Sequence, residues 1–412
     1  MSATARQPVS PSPRAEALEL AQADYAAGRF ERAARRLETL LRARPRHVEA
    51  LLMLGRIYLS ANRLAPAVVV LEHALESAAR EATPPELVTA VRRELAWALY
   101  RLDRFDEAAR HFLALPGFEA VGRKLAAFGE RQPYRLTGPE APVCLPLLAR
   151  DPVLFVLLTV GSRDHVFLVD TGTGELTLDV VIMEELRLPN YGVRETTFAD
   201  DRRGTVVQSV LPRLRLGELV VEDIPVEVMD IHSRAPQIGG IIGLNFLLHF
   251  RPTFDYAGGQ LVLAPRRAPF TPPPNAVRLP LRLFEDHILV GEGAVNEHET
   301  FLFLASGMAG TAFTCPESTL EQAGIPLPAG EGLTGVSGAG SHDLRPFTVP
   351  WLRLGPLEQQ NVPGVLGLFL PALEWRYGVR VGGLVGHDFL RRYRWTLDPE
   401  TLDAWFEELP DA

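Results

Sequence analysis

The stretch FLVDTGTGEL, residues 167–176, sets one carboxyl group, Asp170, and two glycines directly behind an apolar run. An acid so placed is either a polar turn residue or a proton-transfer group, because Asp and Gly are favoured wherever a strand ends in a turn. Other reagents are scarce. Lys124 is the only lysine in the 412 residues, so chemistry needing a Schiff-base or phosphate-loop lysine has almost no candidate. The histidines show neither HExxH nor paired-ligand spacing, and GEGAVN and GAGSHD both lack the third glycine of a dinucleotide loop. Ser337 lies in GVSGA, which misses the last residue of a GxSxG elbow. No metal, nucleotide or other cofactor is implied.

Strands must position Asp170. After Val143 the apolar residues follow strand periodicity, in short β-branched runs separated by turn residues. The region is also one unit written twice. VFLVDTGT (166–173) matches FLFLASGM (301–308), PRLRLGELVVEDIPV (212–226) matches PWLRLGPLEQQNVPG (350–364), and IIGLNFLLHFRPTFD (241–255) matches LVGHDFLRRYRWTLD (384–398). Three blocks in one order, at offsets of 135, 138 and 143, mean duplicated lobes with small insertions. The proline-rich APFTPPPNAV falls between them. This divides the segment into lobe 1 (143–267), an inter-lobe linker (268–277) and lobe 2 (278–412).

Asp170-Thr171-Gly172 behind an apolar strand, followed some seventy residues on by Ile241-Ile242-Gly243, resembles the retropepsin and pepsin superfamily of aspartic peptidases. The resemblance covers roughly residues 143–412. It implies two all-β lobes with a cleft between them, each giving one Asp-Thr/Ser-Gly loop to the cleft floor. In that family two carboxyl groups share one proton: one withdraws a proton from water while the other supports the carbonyl oxygen. Here the second loop reads Ala305-Ser306-Gly307. The hydroxyl and the glycine are kept and the carboxylate is missing. Two ways of supplying a second acid stay open: pairing of two chains through their Asp170 halves, or a substitute such as Asp388 or Asp343. Asp388 aligns with Asn245, where a polar residue ordinarily caps a helix start. The stretch ADDRRGTVV, with Asp200, Asp201, Arg202, Arg203 and Gly204, stands where the family has a flap over the cleft. It reads equally as a surface loop.

The first third has helical periodicity. Aligning its three segments on Gly28, Asn62 and Asp103 brings Phe30, Leu64 and Phe105 into register, then Ala33, Ala67 and Ala108. With LGxxY at Leu54, Gly55 and Tyr58, the pattern resembles the tetratricopeptide repeat, stacked helix-turn-helix units that present a groove to a partner protein. The divisions are a disordered N-terminus (1–13), the repeat domain (14–130) and a linker (131–142).

Charge and composition narrow the partners. The net charge of -9 excludes a general nucleic-acid binder, which needs a basic stripe. Residues 1–130 hold 19 basic and 16 acidic side chains, the remainder 23 and 35, so all the excess acid is C-terminal. No apolar run has the length of a membrane helix, and no apolar segment follows the first arginine, so the expected location is the cytoplasm. Cys144 and Cys315 are expected as buried free thiols, a single bridge between them being the alternative.

The sequence therefore reads as an all-α repeat followed by an all-β, two-lobed fold. Its leading function is binding of an extended peptide or other ligand in the inter-lobe cleft, with hydrolysis impaired. The alternatives are an active aspartic endopeptidase, a cleft recruited for small-molecule chemistry with Asp170 as lone acid or base, and an interaction protein driven by the helical repeats.

Overall fold

The computed structural model describes residues 13–197, 203–328, 332–337 and 340–409. Asp200, Asp201 and Arg202 of the expected flap lie outside the described residues.

Seven helices come first: α1 (Pro13–Ala26), α2 (Phe30–Ala43), α3 (Val48–Ser60), α4 (Leu64–Ala78), α5 (Pro85–Arg101), α6 (Phe105–Phe112) and α7 (Glu119–Ala126). Phe30, Leu64 and Phe105 each open the second helix of a pair, and Ala33, Ala67 and Ala108 are wholly buried where the paired helices cross. The residue used to align each unit reverses the chain. Gly28, Asn62 and Asp103 have φ of 72°, 57° and 60°, a left-handed conformation that glycine adopts freely and that Asn and Asp tolerate.

Lobe 1 contains β1 (Arg135–Thr137), β2 (Val143–Ala149), β3 (Phe155–Val160), β4 (Arg163–Val169), β5 (Leu176–Asp179), α8 (Val180–Leu186), β6 (Val193–Thr197), β7 (Arg203–Leu216), β8 (Leu219–Met229), β9 (Ile238–Ile242), α9 (Leu244–Leu247), β10 (Phe250–Asp255) and β11 (Gln260–Pro265). Lobe 2 contains β12 (Val277–Phe284), β13 (Ile288–Val295), β14 (His298–Leu304), β15 (Phe313–Thr314), α10 (Glu317–Gln322), β16 (Leu333–Ser337), β17 (Gly340–Leu354), β18 (Leu357–Leu366), β19 (Val381–Val385), α11 (His387–Leu390), β20 (Tyr393–Leu397) and β21 (Asp403–Glu408). The lobes repeat each other pairing for pairing. β4 runs parallel to β9 as β14 does to β19, and β5 runs parallel to β8 as β15 does to β18. β7 pairs antiparallel with both β6 and β8, and β17 does the same with β16 and β18.

The segment read as a linker, 131–142, is not all linker. Arg135, Leu136 and Thr137 add β1 to the edge of β8, so proline and glycine marked the end of the helices but not the free backbone edge that would claim the chain.

One six-stranded antiparallel sheet joins the lobes, in the order β2-β11-β10-β20-β21-β12. At its centre Thr253 faces Thr396 with hydroxyl oxygens 2.7 Å apart, and the Phe254 and Trp395 rings stack at 3.9 Å. Thr253 and Thr396 occupy equivalent positions of the two lobes, so a pseudo-twofold axis passes between them, with the Phe254–Trp395 stack beside it.

The helical array docks on this body through its turns. Phe301 closes on Gly28, leaving no room for a Cβ, and its ring lies 5.8 Å from that of Phe30. Asn62 Nδ2 donates to the carbonyls of Pro399 and Glu400, at 2.9 and 3.0 Å, while its Oδ1 accepts from Arg101 at 2.7 Å. The Asp103 carboxyl meets His249 at 3.2 Å. Replacing Asn62 with Gly keeps the turn but removes the bonds between the regions, and replacing it with Ala removes both. Chemical denaturation is expected to show Asn62→Gly destabilised by about 1–2 kcal/mol and Asn62→Ala by roughly a further 1 kcal/mol.

Candidate functional site

β4 delivers Asp170 and β14 delivers Ala305. In each lobe the parallel neighbour ends in a hydrophobic-hydrophobic-glycine strand that fixes the loop behind it. The Asp170 N–H donates to Ile242 O at 3.0 Å, and the Ala305 N–H to Val385 O at 3.0 Å. Gly243 is a glycine because a Cβ there would lie 2.3 Å from Gly174 O and 2.4 Å from Glu175 O. The loop then closes on the following helix: Leu244 and Asn245 donate their N–H groups to Thr173 O and Gly174 O, at 2.8 and 3.0 Å.

The two loops grip each other. The Thr171 N–H donates to Ser306 Oγ and the Ser306 N–H to Thr171 Oγ1, both at 3.1 Å. The Thr171 hydroxyl donates to Leu304 O at 3.1 Å and the Ser306 hydroxyl to Val169 O at 3.2 Å. Both side chains are wholly buried, and each serves the opposite lobe as donor and acceptor. With every polar atom matched across the axis, the lobes have one relative position that leaves none of these groups unpaired.

Asp170 is half-buried, and its carboxyl oxygens receive three hydrogen bonds. Oδ1 accepts from the Gly172 N–H at 2.8 Å and from the Gly307 N–H of the opposite lobe at 2.9 Å, and Oδ2 accepts from the Thr173 hydroxyl at 2.8 Å. The Gly307 donor has no acceptor side chain at position 305, and Asp170 takes it instead. Ala305 is buried, and its methyl group would lie 2.8 Å from a Cβ built on Gly172. Among the described residues no second carboxyl group bonds to Asp170.

The other sequence candidates stand elsewhere. Arg203 and Gly204 begin β7 opposite Thr197 and Thr196, in a hairpin with β6. Asp343 is exposed on β17 opposite Thr334. Asp388 lies beside Arg391, at 3.4 Å, and its donor atoms fall within 4.8 Å of those of Asp151 and His387. Arg391 also contacts both carboxyl oxygens of Asp151, at 3.0 and 3.2 Å, so the two acids already face a cation. Helix capping does not describe either aligned polar residue: Gly243 and Gly386 occupy the cap positions without a side-chain cap. Cys315 is buried and free, but Cys144, expected buried, is exposed on the outer face of β2.

Sequence reading missed a polar cluster beside the Asp170 loop. Lys124 of α7 is wholly buried and ion-paired with Glu175, whose other oxygen accepts from the Tyr100 hydroxyl of α5 at 2.6 Å. Burial pushes the Glu175 carboxyl upward, against the pull of Lys124 and Tyr100. Asn245 Nδ2 lies 3.4 Å from the Tyr100 hydroxyl and 3.3 Å from Asp286 Oδ2 of lobe 2. Asp286 contacts His287 at 2.7 Å; burial opposes charge on both, yet each holds the other charged, with the carboxyl below its usual range and the imidazole above. Arg194 pairs with Glu227 at 2.7 Å, and its guanidinium lies 5.8 Å from the Phe118 ring centroid. The one advance signal was the solitary lysine, because a lysine in a chain built on arginine invites a specific explanation.

Two outcomes follow. Lys124→Met strands the buried Glu175 charge and is expected to cost about 3–5 kcal/mol in chemical denaturation, most of it recovered when Glu175→Gln is added. The Asp286–His287 pair has its full effect where both groups are charged also in the unfolded chain, about pH 4 to 6.5. The melting-temperature gap between the parent chain and His287→Asn should be widest there. It should shrink as pH rises through the elevated imidazole pKa and as pH falls through the depressed carboxyl pKa.

Family models match two parts of the chain. Residues 18–72 match the family model described as tetratricopeptide repeat, and residues 156–246 match the one described as aspartyl protease. No curated protein matches the sequence. Among solved structures, basic 7S globulin from soybean is similar at 12% identity and a TM-score of 0.39, over 67% of this chain and 97% of that one. The chain thus joins a tetratricopeptide-repeat region to an aspartyl protease-like domain.

Proposed function

We propose that the cleft between the lobes binds an extended peptide without efficiently hydrolysing it. The observation that supports this most is the pairing of Asp170 with the Ala305 methyl group, together with the Gly307 N–H that turns to Asp170 for its acceptor. Peptide hydrolysis by carboxyl groups needs one to activate water and another to support the carbonyl oxygen, and each acid or base role is typically worth about 10² to 10⁴ in rate. Asp170 alone supplies one such role, and its oxygens are engaged by three donors from its surroundings.

Binding needs less. Strands bordering a cleft offer backbone hydrogen bonds to an extended chain, with pockets for alternate side chains, and none of this depends on a second acid. The β6–β7 hairpin stands at the family's flap position and supplies such an edge, with Arg203 and Gly204 on its returning strand. The repeat region contributes a surface for a protein partner, as such arrays commonly do. Free thiols at Cys144 and Cys315, one of them exposed, suit a reducing compartment such as the cytoplasm.

Incubation with a denatured protein substrate between about pH 3 and 7 tests the reading. The parent chain is expected to leave the substrate intact. Ala305→Asp should restore acid-dependent cleavage by rebuilding the pair, and adding Asp170→Asn should abolish it. Cleavage by the parent chain that disappears in Asp170→Asn alone would overturn the proposal in favour of a working endopeptidase.

A further inference from the structure

The pseudo-twofold axis that relates the lobes also relates the two ends of the cleft floor, and those ends are not alike. Beyond Asp170 the first loop runs through Gly174 to Glu175; beyond Ala305 the second runs through Ala309 to Gly310. The two lie on opposite sides of the axis, since it passes between Thr171 and Ser306. At the first end a turn of lobe 2, Asp286-His287, reaches the loop, and a Cβ on Gly174 would lie 2.6 Å from Asp286 Oδ2. At the second end a turn of lobe 1, bearing Asp151, reaches α11.

The helical array covers only the first. Glu175 is buried under Lys124 and Tyr100, whereas Ala309 and Gly310 are exposed. Asn245 is 5% exposed, while the side chain of its counterpart Asp388 is 24% exposed. Asp286 is 13% exposed in its side chain, and Asp151 64%. The same helix that brings Lys124 also fastens the base of the β6–β7 hairpin. Arg123 Nε donates to Tyr191 O at 2.7 Å, and a Cβ on Gly192 would lie 2.4 Å from the Arg123 guanidinium. Hairpin, loop and helices are therefore joined at one end into a wall of opposed charges: Lys124 with Glu175, Arg194 with Glu227, His287 with Asp286.

We infer that this wall closes one end of the cleft, so that the site takes the free terminus of an extended peptide and not an internal stretch of a chain. The inference rests on the peptide-binding reading above and narrows it. An internal segment must leave the cleft at both ends, and at the Glu175 end the path is filled by the buried Lys124–Glu175 pair and the half-buried Arg194–Glu227 and Asp286–His287 pairs, whose opening would leave charges unpaired. A terminus needs only the open end, past Met308, Ala309 and Gly310. Lys124, Arg194 and His287 each face an acid, so these pairs present no net charge that selects an ammonium over a carboxylate terminus.

The full-length protein can be panned against random peptides of about ten residues displayed in three ways: with a free N-terminus, with a free C-terminus, or held between two folded domains. Photo-crosslinking to residues 170–174 or 307–310 identifies the binders seated in the cleft. Cleft binders are expected from one free-end library. Fusing a folded domain to that free end should weaken them at least roughly tenfold, and fusion at the other end should leave affinity within about threefold. Cleft binders from the doubly held library that keep their affinity with both ends extended would overturn the closed end and leave peptide binding standing. If no library yields a cleft crosslink, both readings fall.

Discussion

The reciprocal hydrogen bonds between Thr171 and Ser306 are the contact on which the rest of the β region depends. Four bonds of about 3.1 Å cross the pseudo-twofold axis between two buried hydroxyls and the backbone of the opposite loop. Buried hydrogen bonds of this kind cost free energy when unmade, so the loops hold each other in register. The six-stranded sheet repeats the same logic, with the Thr253–Thr396 contact on the axis and the Phe254–Trp395 stack beside it. One geometry satisfies both.

Within that frame, a methyl group at position 305 has a local consequence. The Gly307 N–H is left without an acceptor on its own loop, and Asp170 answers from across the axis. Asp170 becomes part of the joint between the lobes, serving as acceptor to a backbone donor from each. That gives Asp170 a structural role in holding the two loops together.

The helical array is built into the β region and does not hang from it by a flexible tether. The left-handed turns that open the second helix of each pair, at Gly28, Asn62 and Asp103, all point at the lobes, and a buried lysine from its last helix neutralises an acid on the Asp170 loop. Burying an ammonium and a carboxylate together is tolerable only when each is paired and hydrogen-bonded, and Tyr100 completes that shell. The asymmetry that results is imposed on an otherwise symmetric pair of lobes by a domain of unrelated fold.

Much of this was legible in the sequence. Spacing and repetition gave the duplicated blocks, the loops at 170–172 and 305–307, and the three helix pairs with their turn residues, because periodicity and repetition are local properties of the chain. Other features depended on distance through space. Nothing in the spacing of Lys124, Tyr100 and Glu175 joins positions 51 and 75 residues apart, and nothing in Asp286-His287 says that it will meet Asn245. The strand at 135–137 exists because β8 had an unpaired edge, and the exposure of Cys144 follows from which face of β2 points outward. By itself, the sequence determined which groups the loops contain, since those are matters of residue identity. Which partners those groups find, and which of the two loops the helices cover, only the tertiary structure decided, because burial and pairing arise from segments that meet after the chain has folded.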